Sequence, residues 1–172
     1  MPSAPPETII VTDANILINL IHVERLELLG VLSAYRFVVP DHVAVEITIP
    51  EQQQQLQGAL DRHDLAQESL TTPEELALYA ELHRVMGQGE AACLALAESR
   101  GWLIASDERR RFRREVFARL GEGRLVTTAG LFVLAIRAGI LTVEEADQMK
   151  AVLEQRRFRM TFASFRDVLS ES

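Results

Sequence analysis

At 172 residues, with 48% hydrophobic, 25% charged and 6% aromatic residues, the chain has the make-up of one ordinary globular domain, and a largely disordered protein is excluded. Its net charge of −7 argues against binding nucleic acid through a general basic surface. No apolar run approaches the roughly 20 residues a bilayer crossing needs, the amino terminus has no basic stretch followed by an apolar one, and the single cysteine, Cys93, has no partner for a disulfide or a thiolate zinc site. The expectation is a cytoplasmic protein without a membrane partner, built as one domain over residues 1–172 with a flexible tail at 1–7.

In chain order, residues 8–11 form a short apolar, β-branched run that predicts a strand, and 14–21 predict a helix directly after Asp13. A second helix is expected over 23–32, a second strand over 35–39 closed by Pro40, and a helix over 41–49 that stops at Pro50. The glutamine run at 52–55 reads as the exposed start of a helix reaching Leu60, and Asp61, His63, Asp64 and Glu68 as its solvated face. Thr72, Pro73 and Glu75 make a capping box that opens a helix through about Met86.

Gly87 and Gly89 break that helix. Residues 90–100 start another that is apolar nearly all round and therefore buried. A strand follows over 102–105, an arginine-rich helix over 108–120, a strand over 124–127, and a helix over 128–138 ended by Gly139. Thr142 and Glu145 form a second capping box for a helix to about Gln155. The tail over 158–169 reads equally as strand or helix. Strands alternating with helices at this spacing predict a three-layer α/β/α sandwich around a central parallel sheet.

In such a sheet, ligands bind beyond the carboxyl ends of the strands. Asp13 and Asp107 each follow a strand there, and each has a plain alternative as a helix N-cap. Glu90 opens the buried helix, where the helix dipole alone accounts for an acid. Glu46 lies among Val43, Val45, Ile47 and Ile49, an odd place for a charge unless it faces a polar cleft or a solvent-facing turn. Four carboxylates at one edge would need positive charge to offset their repulsion, and Mg²⁺ or Mn²⁺ is the usual choice where the substrate is a phosphate ester. Of 18 cationic residues only Lys150 is lysine, and Arg109, Arg110, Arg111, Arg113, Arg114 and Arg119 form a local block suited to bidentate phosphate contacts. A solvated helix face explains that block equally well.

Other constellations fail. The run from Gly87 to Ala92 fits a dinucleotide fingerprint but follows a helix, and Glu90 would face the pyrophosphate. There is no phosphate loop. A receiver domain needs a lysine after its last strand, whereas Lys150 is expected mid-helix. The four histidines lack the close spacing of zinc ligands.

Four segments together resemble a PIN domain, closest to the small prokaryotic branch related to the toxin nucleases of toxin–antitoxin pairs: Thr8 to Ile18 around Asp13, Val38 to Glu46, Gly87 to Ala97 around Glu90, and Leu103 to Arg109. The stretch from Val126 to Leu131 extends the likeness. The resemblance implies that Asp13, Glu46, Glu90 and Asp107 hold one or two Mg²⁺ or Mn²⁺ ions that activate water for attack on an RNA phosphodiester, leaving a 5′-phosphate. It further implies that Asn15 orients Asp13 and that Ser106, with Thr127 or Thr128, supports the acids. The arginine block begins at the same edge, and Arg109, Arg110, Arg111 and Arg113 are expected to grip the RNA backbone where their side chains turn toward the cleft. An antitoxin is the implied protein partner, and the apolar helices allow a homodimer without requiring one. Two features depart from the family pattern: the third acid is glutamate where many members have aspartate, and Glu108 follows Asp107 where this branch often has arginine. A catalytically inactive PIN-like interaction module is the alternative.

Overall fold

The computed structural model describes residues 7–171; apart from Glu7, the expected tail lies outside them. Its strands are β1 (Thr8–Thr12), β2 (Tyr35–Pro40), β3 (Ala66–Glu68), β4 (Leu103–Ala105) and β5 (Leu125–Val126). They form one sheet in the order β3-β2-β1-β4-β5, parallel throughout. Ile10 and Val11 of central β1, and Phe37, Val38 and Val39 of β2, are all buried. Their side chains therefore run apolar without alternation, as a sheet covered on both faces requires.

The helices are α1 (Ala14–His22), α2 (Leu28–Val31), α3 (Asp41–Ala44), α4 (Pro50–Asp61), α5 (Pro73–His83), α6 (Gln88–Arg100), α7 (Arg111–Leu120), α8 (Thr128–Arg137), α9 (Val143–Gln155) and α10 (Phe165–Ser170). Helix α6 packs on β1, β2 and β4 with α3, α5 and α7 beside it, while α1 contacts α4 and α9, and α9 contacts α8 and α10. Residues Ala91, Ala92, Cys93, Leu94, Ala95, Leu96 and Ala97 are wholly buried. Small side chains at most of these positions let α6 lie close to the sheet, and Gly101 ends it in a left-handed turn at φ 72°, a conformation that costs glycine little. Both capping boxes form as expected, Thr72 with Glu75 and Thr142 with Glu145.

Several expected elements are shorter or absent. The helix over 23–32 contracts to α2, because Glu24 takes a left-handed φ of 57° and the Arg25 N–H turns back to the Leu20 carbonyl. The helix over 41–49 ends at Ala44, and Glu46 stands in the turn beyond it. The arginine-rich helix begins at Arg111, not at Glu108. Glu68 belongs to the unforeseen edge strand β3, where it pairs with Arg100. The tail forms α10, capped by Ser164.

Arg100 anchors this edge. Its guanidinium bonds the Glu75 carboxylate at 2.7 Å and Glu68 at 3.1 Å and lies over the Trp102 ring. Glu75 is only 2% exposed, and the Arg100 hydrogen bond holds its carboxyl down to about 2 from an ordinary 4.5. The folded-state value is depressed, so the stabilisation is present above about pH 4.5 and is lost as pH falls toward 2. Glu75→Gln is expected to cost about 2 kcal/mol at pH 7, and urea unfolding at pH 7 and pH 3 should show most of that cost disappearing at the lower pH.

Candidate active site

Strand register places the acids. Thr12 pairs with Ala105 across β1 and β4, and the Asp13 N–H continues the ladder to the Ala105 carbonyl at 2.9 Å. Asp13 and Asp107 therefore leave the same sheet edge on neighbouring strands. Asp13 is 4% exposed. One of its carboxylate oxygens accepts the Ala14 N–H at 2.8 Å, and the other accepts the Ser106 hydroxyl at 3.0 Å. The cap role at α1 is thus real, yet it occupies only part of the carboxylate.

Glu46 arrives from the turn after α3. Its carboxylate accepts the Gly89 N–H at 2.9 Å, which ties the second strand's crossover to the first turn of α6. A methyl group at residue 89 would lie 2.5 Å from that same oxygen, so glycine is required for the approach. Glu90 follows directly. Burial, then the neighbouring charges of Glu108, Asp13 and Glu46, push its carboxyl up to about 7. Asp13 is raised to about 6, chiefly by burial with Glu46 and Glu108 adding to it. Burial drives the Cys93 thiol upward as well, with Asp13, Glu46 and Glu90 contributing.

Asp107 is engaged differently. Its carboxylate accepts the Thr128 N–H at 2.9 Å, the Thr128 hydroxyl at 2.5 Å and the Asn19 amide at 3.0 Å. Its cap role is therefore at the start of α8, where the Thr128 N–H is otherwise free, and not at α7. Burial raises its carboxyl, opposed by these hydrogen bonds and by Arg109. Glu108, noted in the sequence only as a departure from the family pattern, lies within electrostatic reach of Asp13 and Glu90.

The supporting residues sort out unevenly. Ser106 bonds both Asp13 and the Glu108 N–H, and Thr128 holds Asp107. Thr127 caps α8 through the Gly130 N–H and bonds no acid. Asn15 does not reach the Asp13 carboxylate by any hydrogen bond among the described residues; its amide oxygen accepts the Asp107 N–H at 3.1 Å and its amide nitrogen donates to Glu108 at 3.3 Å. Asn19, which sequence reasoning missed, links Asp107 to Thr128. Its signal was present as a polar side chain one turn after Asn15 on an otherwise apolar helix. Among the arginines, Arg109 and Arg110 border Asp107, with Arg113 beside them, whereas Arg111 is turned to the Val85 carbonyl at 2.8 Å and Arg119 is engaged by Glu81, Glu98 and Glu115.

Among the described residues, no ion pair involves Asp13, Glu46, Glu90, Asp107 or Glu108, and no group of three or more His, Cys, Asp or Glu side chains is drawn together tightly enough to hold a metal ion. The donors are nevertheless hard oxygens whose mutual repulsion no ion pair among the described residues offsets, Arg109 opposing the rise at Asp107 only in part. That chemistry suits a small divalent cation. No helix among the described residues is long and apolar enough to cross a membrane.

The chain is a parallel α/β/α sandwich in which a buried Asp13 and partly buried Glu90 and Asp107 stand near exposed Glu46 and Glu108. A family model described as PIN domain matches residues 9–172, and the chain belongs to that family. PIN domains are generally nucleases and typically use divalent metal ions. Comparison with curated proteins and with solved structures finds no significant match.

Proposed function

We propose that this protein is a divalent-metal-dependent endoribonuclease, acting as the toxin of a toxin–antitoxin pair. The observation that supports this reading best is the set of carboxylates gathered at the strand ends of a PIN fold. Asp13, Glu46 and Glu90 would hold Mg²⁺ or Mn²⁺, with Asp107 at the rim, fixed by Thr128 and Asn19. The bound cation supplies positive charge and acidifies water for hydrolysis of a phosphodiester. Ser106 keeps Asp13 in place, and Gly89 does the same for Glu46 through its N–H. Arg109, Arg110 and Arg113 meet the RNA backbone, and only such charge-assisted contacts overcome the repulsion of a −7 chain for RNA.

A protein partner is supported by a separate feature. Val45 and Ile49, 63% and 52% exposed, flank the turn that bears Glu46, so a partner segment seated on them would also cover the acids. If cleavage were lost in this lineage, the same surface would serve an interaction module.

End-labelled single-stranded RNA incubated with the purified chain and Mg²⁺ or Mn²⁺ tests the reading. Internal cuts that carry a 5′-phosphate and vanish with EDTA are expected. Intact RNA under every metal condition would reject the nuclease and leave the interaction module. Gly89→Ala provides a finer check, since the atoms nearest its Cβ are all of the Glu46 carboxylate, which it would displace. Gain in helix propensity of up to about 1 kcal/mol offsets the lost hydrogen bond, so the melting temperature should barely move. Cation affinity, read by calorimetry, is expected to fall about tenfold.

A further inference from the structure

The segment after α9, whose sequence reads equally as strand or helix, closes a groove against the start of α7. The groove has a volume of about 430 Å³ and is lined by Arg109, Arg110 and Arg113 together with Phe158, Arg159 and Phe162, and Asp107 and Glu108 also belong to its lining. All four arginines are exposed. None of the four forms an ion pair among the described residues; Arg113 lies over the Phe117 ring, and Arg109 acts electrostatically on Asp107. Phe158 and Phe162 are half-buried, packed at their inner edges against the core. Arg110 adopts φ 59°, a conformation unfavourable for a residue with a side chain, at the point where the chain turns from β4 into α7. Arg111 and Arg114 line a separate hollow with Val85 and Glu115, so the arginine block divides into two faces.

We propose that this groove is a nucleotide subsite for single-stranded RNA: phosphates are held by Arg109, Arg110, Arg113 and Arg159, and a base lies against Phe158 and Phe162. Guanidinium groups match phosphate oxygens in pairs. Aromatic faces accept any base by stacking, which is the recurrent arrangement for unpaired strands. The volume suits a ligand the size of one nucleotide, and four exposed arginines gathered in one groove of a chain of net charge −7 make it locally complementary to a polyanion. Because Asp107 and Glu108 line the same groove, a strand lying in it would run beside the acidic cluster. The inference rests on the ribonuclease reading for its substrate, but the groove's binding is separable from cleavage.

The test is fluorescence anisotropy of a labelled single-stranded RNA about ten nucleotides long, in EDTA, so that no cleavage is needed. The double variant Arg113→Gln with Arg159→Gln removes two charges from the groove; Arg111→Gln with Arg114→Gln removes two from the other face and is the charge-matched control. The groove pair is expected to weaken binding tenfold or more and to flatten the logarithmic salt dependence by about 1.4, and the control pair is expected to change affinity less than twofold. Phe158→Leu, which keeps an apolar contact with the core, should weaken binding severalfold with the salt dependence unchanged. Equal effects of the two arginine pairs, equal binding of duplex and single-stranded RNA, or no binding by the unaltered protein would overturn the subsite. Selective loss in the groove pair, from a protein that never cuts RNA with Mg²⁺ or Mn²⁺, would uphold the groove and reject the nuclease.

Discussion

Asp13→Asn is expected to lower RNA cleavage by about a hundredfold or more and, in the metal-free protein at pH 8, to raise stability. The two effects have one cause. Asp13 is almost fully enclosed, and burial lifts its carboxyl from 3.8 to about 6, so at pH 8 the fold holds a charge it disfavours. A folded-state value above the unfolded one means the penalty is absent below about pH 4 and complete above about pH 6. Two units correspond to about 3 kcal/mol at most. The amide has one acceptor oxygen where the carboxylate has two, so it cannot accept both the Ala14 N–H and the Ser106 hydroxyl; a net gain of about 1–2 kcal/mol is expected, read as a higher urea midpoint. A residue serving only as the cap of α1 would give the opposite sign: its replacement would leave cleavage intact and lower stability.

The metal-free protein should be more stable at pH 5 than at pH 8, and Mg²⁺ or Mn²⁺ should reverse the order. Glu90 is lifted to about 7 from 4.5, in the same sense as Asp13, and Asp107 is raised too. Stability contributed by their protonation is therefore full below about pH 4 and lost as pH rises through 6 and 7. His22 acts in the opposite sense, since burial and the nearby Arg156 lower its value. Glu75 and Asp41, whose carboxyls are depressed, matter only at more acidic pH. With Glu90 discounted for its partial exposure, the net difference is about 2 kcal/mol, or roughly 5 °C in melting temperature for a chain of this size. A cation that binds the ionised acids stabilises most where they are already ionised. Melting curves at both pH values, with and without the ion, check each half.

Much of this arrangement is legible in the sequence where the signal is local. The capping boxes at Thr72 and Thr142 are such cases, since their partners are three residues away. The all-apolar run of β1 and the nearly all-round apolar α6 announce burial on every side, which fixes the sheet as parallel and α6 as central. Strand β3 is illegible for the converse reason: Ala66, Gln67 and Glu68 carry no alternation, and their conformation comes from pairing with β2 and from Asp41, which binds Gln67 and Ser69. Nothing local marks the left-handed Glu24 that cuts the second helix short.

At the site, residue order placed Asp13 and Asp107 at one edge, because strand ends are local features, whereas Glu46 and Glu90 joined them through the family resemblance. The partners were not readable. Asn15 and Asp107 are separated by 92 residues, Asn19 and Asp107 by 88, and an amide on α1 has several polar groups within plausible reach until strand register is set. The family expectation that Asn15 orients Asp13 meets a geometry in which Asn15 bridges Asp107 and Glu108. Glu108 draws close to Asp13 and Glu90 because α7 starts three residues later than the apolar pattern predicts, leaving residues 108–110 as a loop over the cluster.

Asp13, Glu46 and Glu90 are expected to bind a divalent cation together. Calorimetric titration of Mn²⁺ or Mg²⁺ into the protein at pH 6.5, repeated in two buffers of different ionisation enthalpy, tests it most directly. With Asp13 near 6 and Glu90 near 7, the account expects saturable binding that releases roughly one proton per ion, and loss of both binding and proton release in Asp13→Asn. An unaltered protein that gives no binding heat at millimolar cation, or binding that persists unchanged in Asp13→Asn, would contradict it.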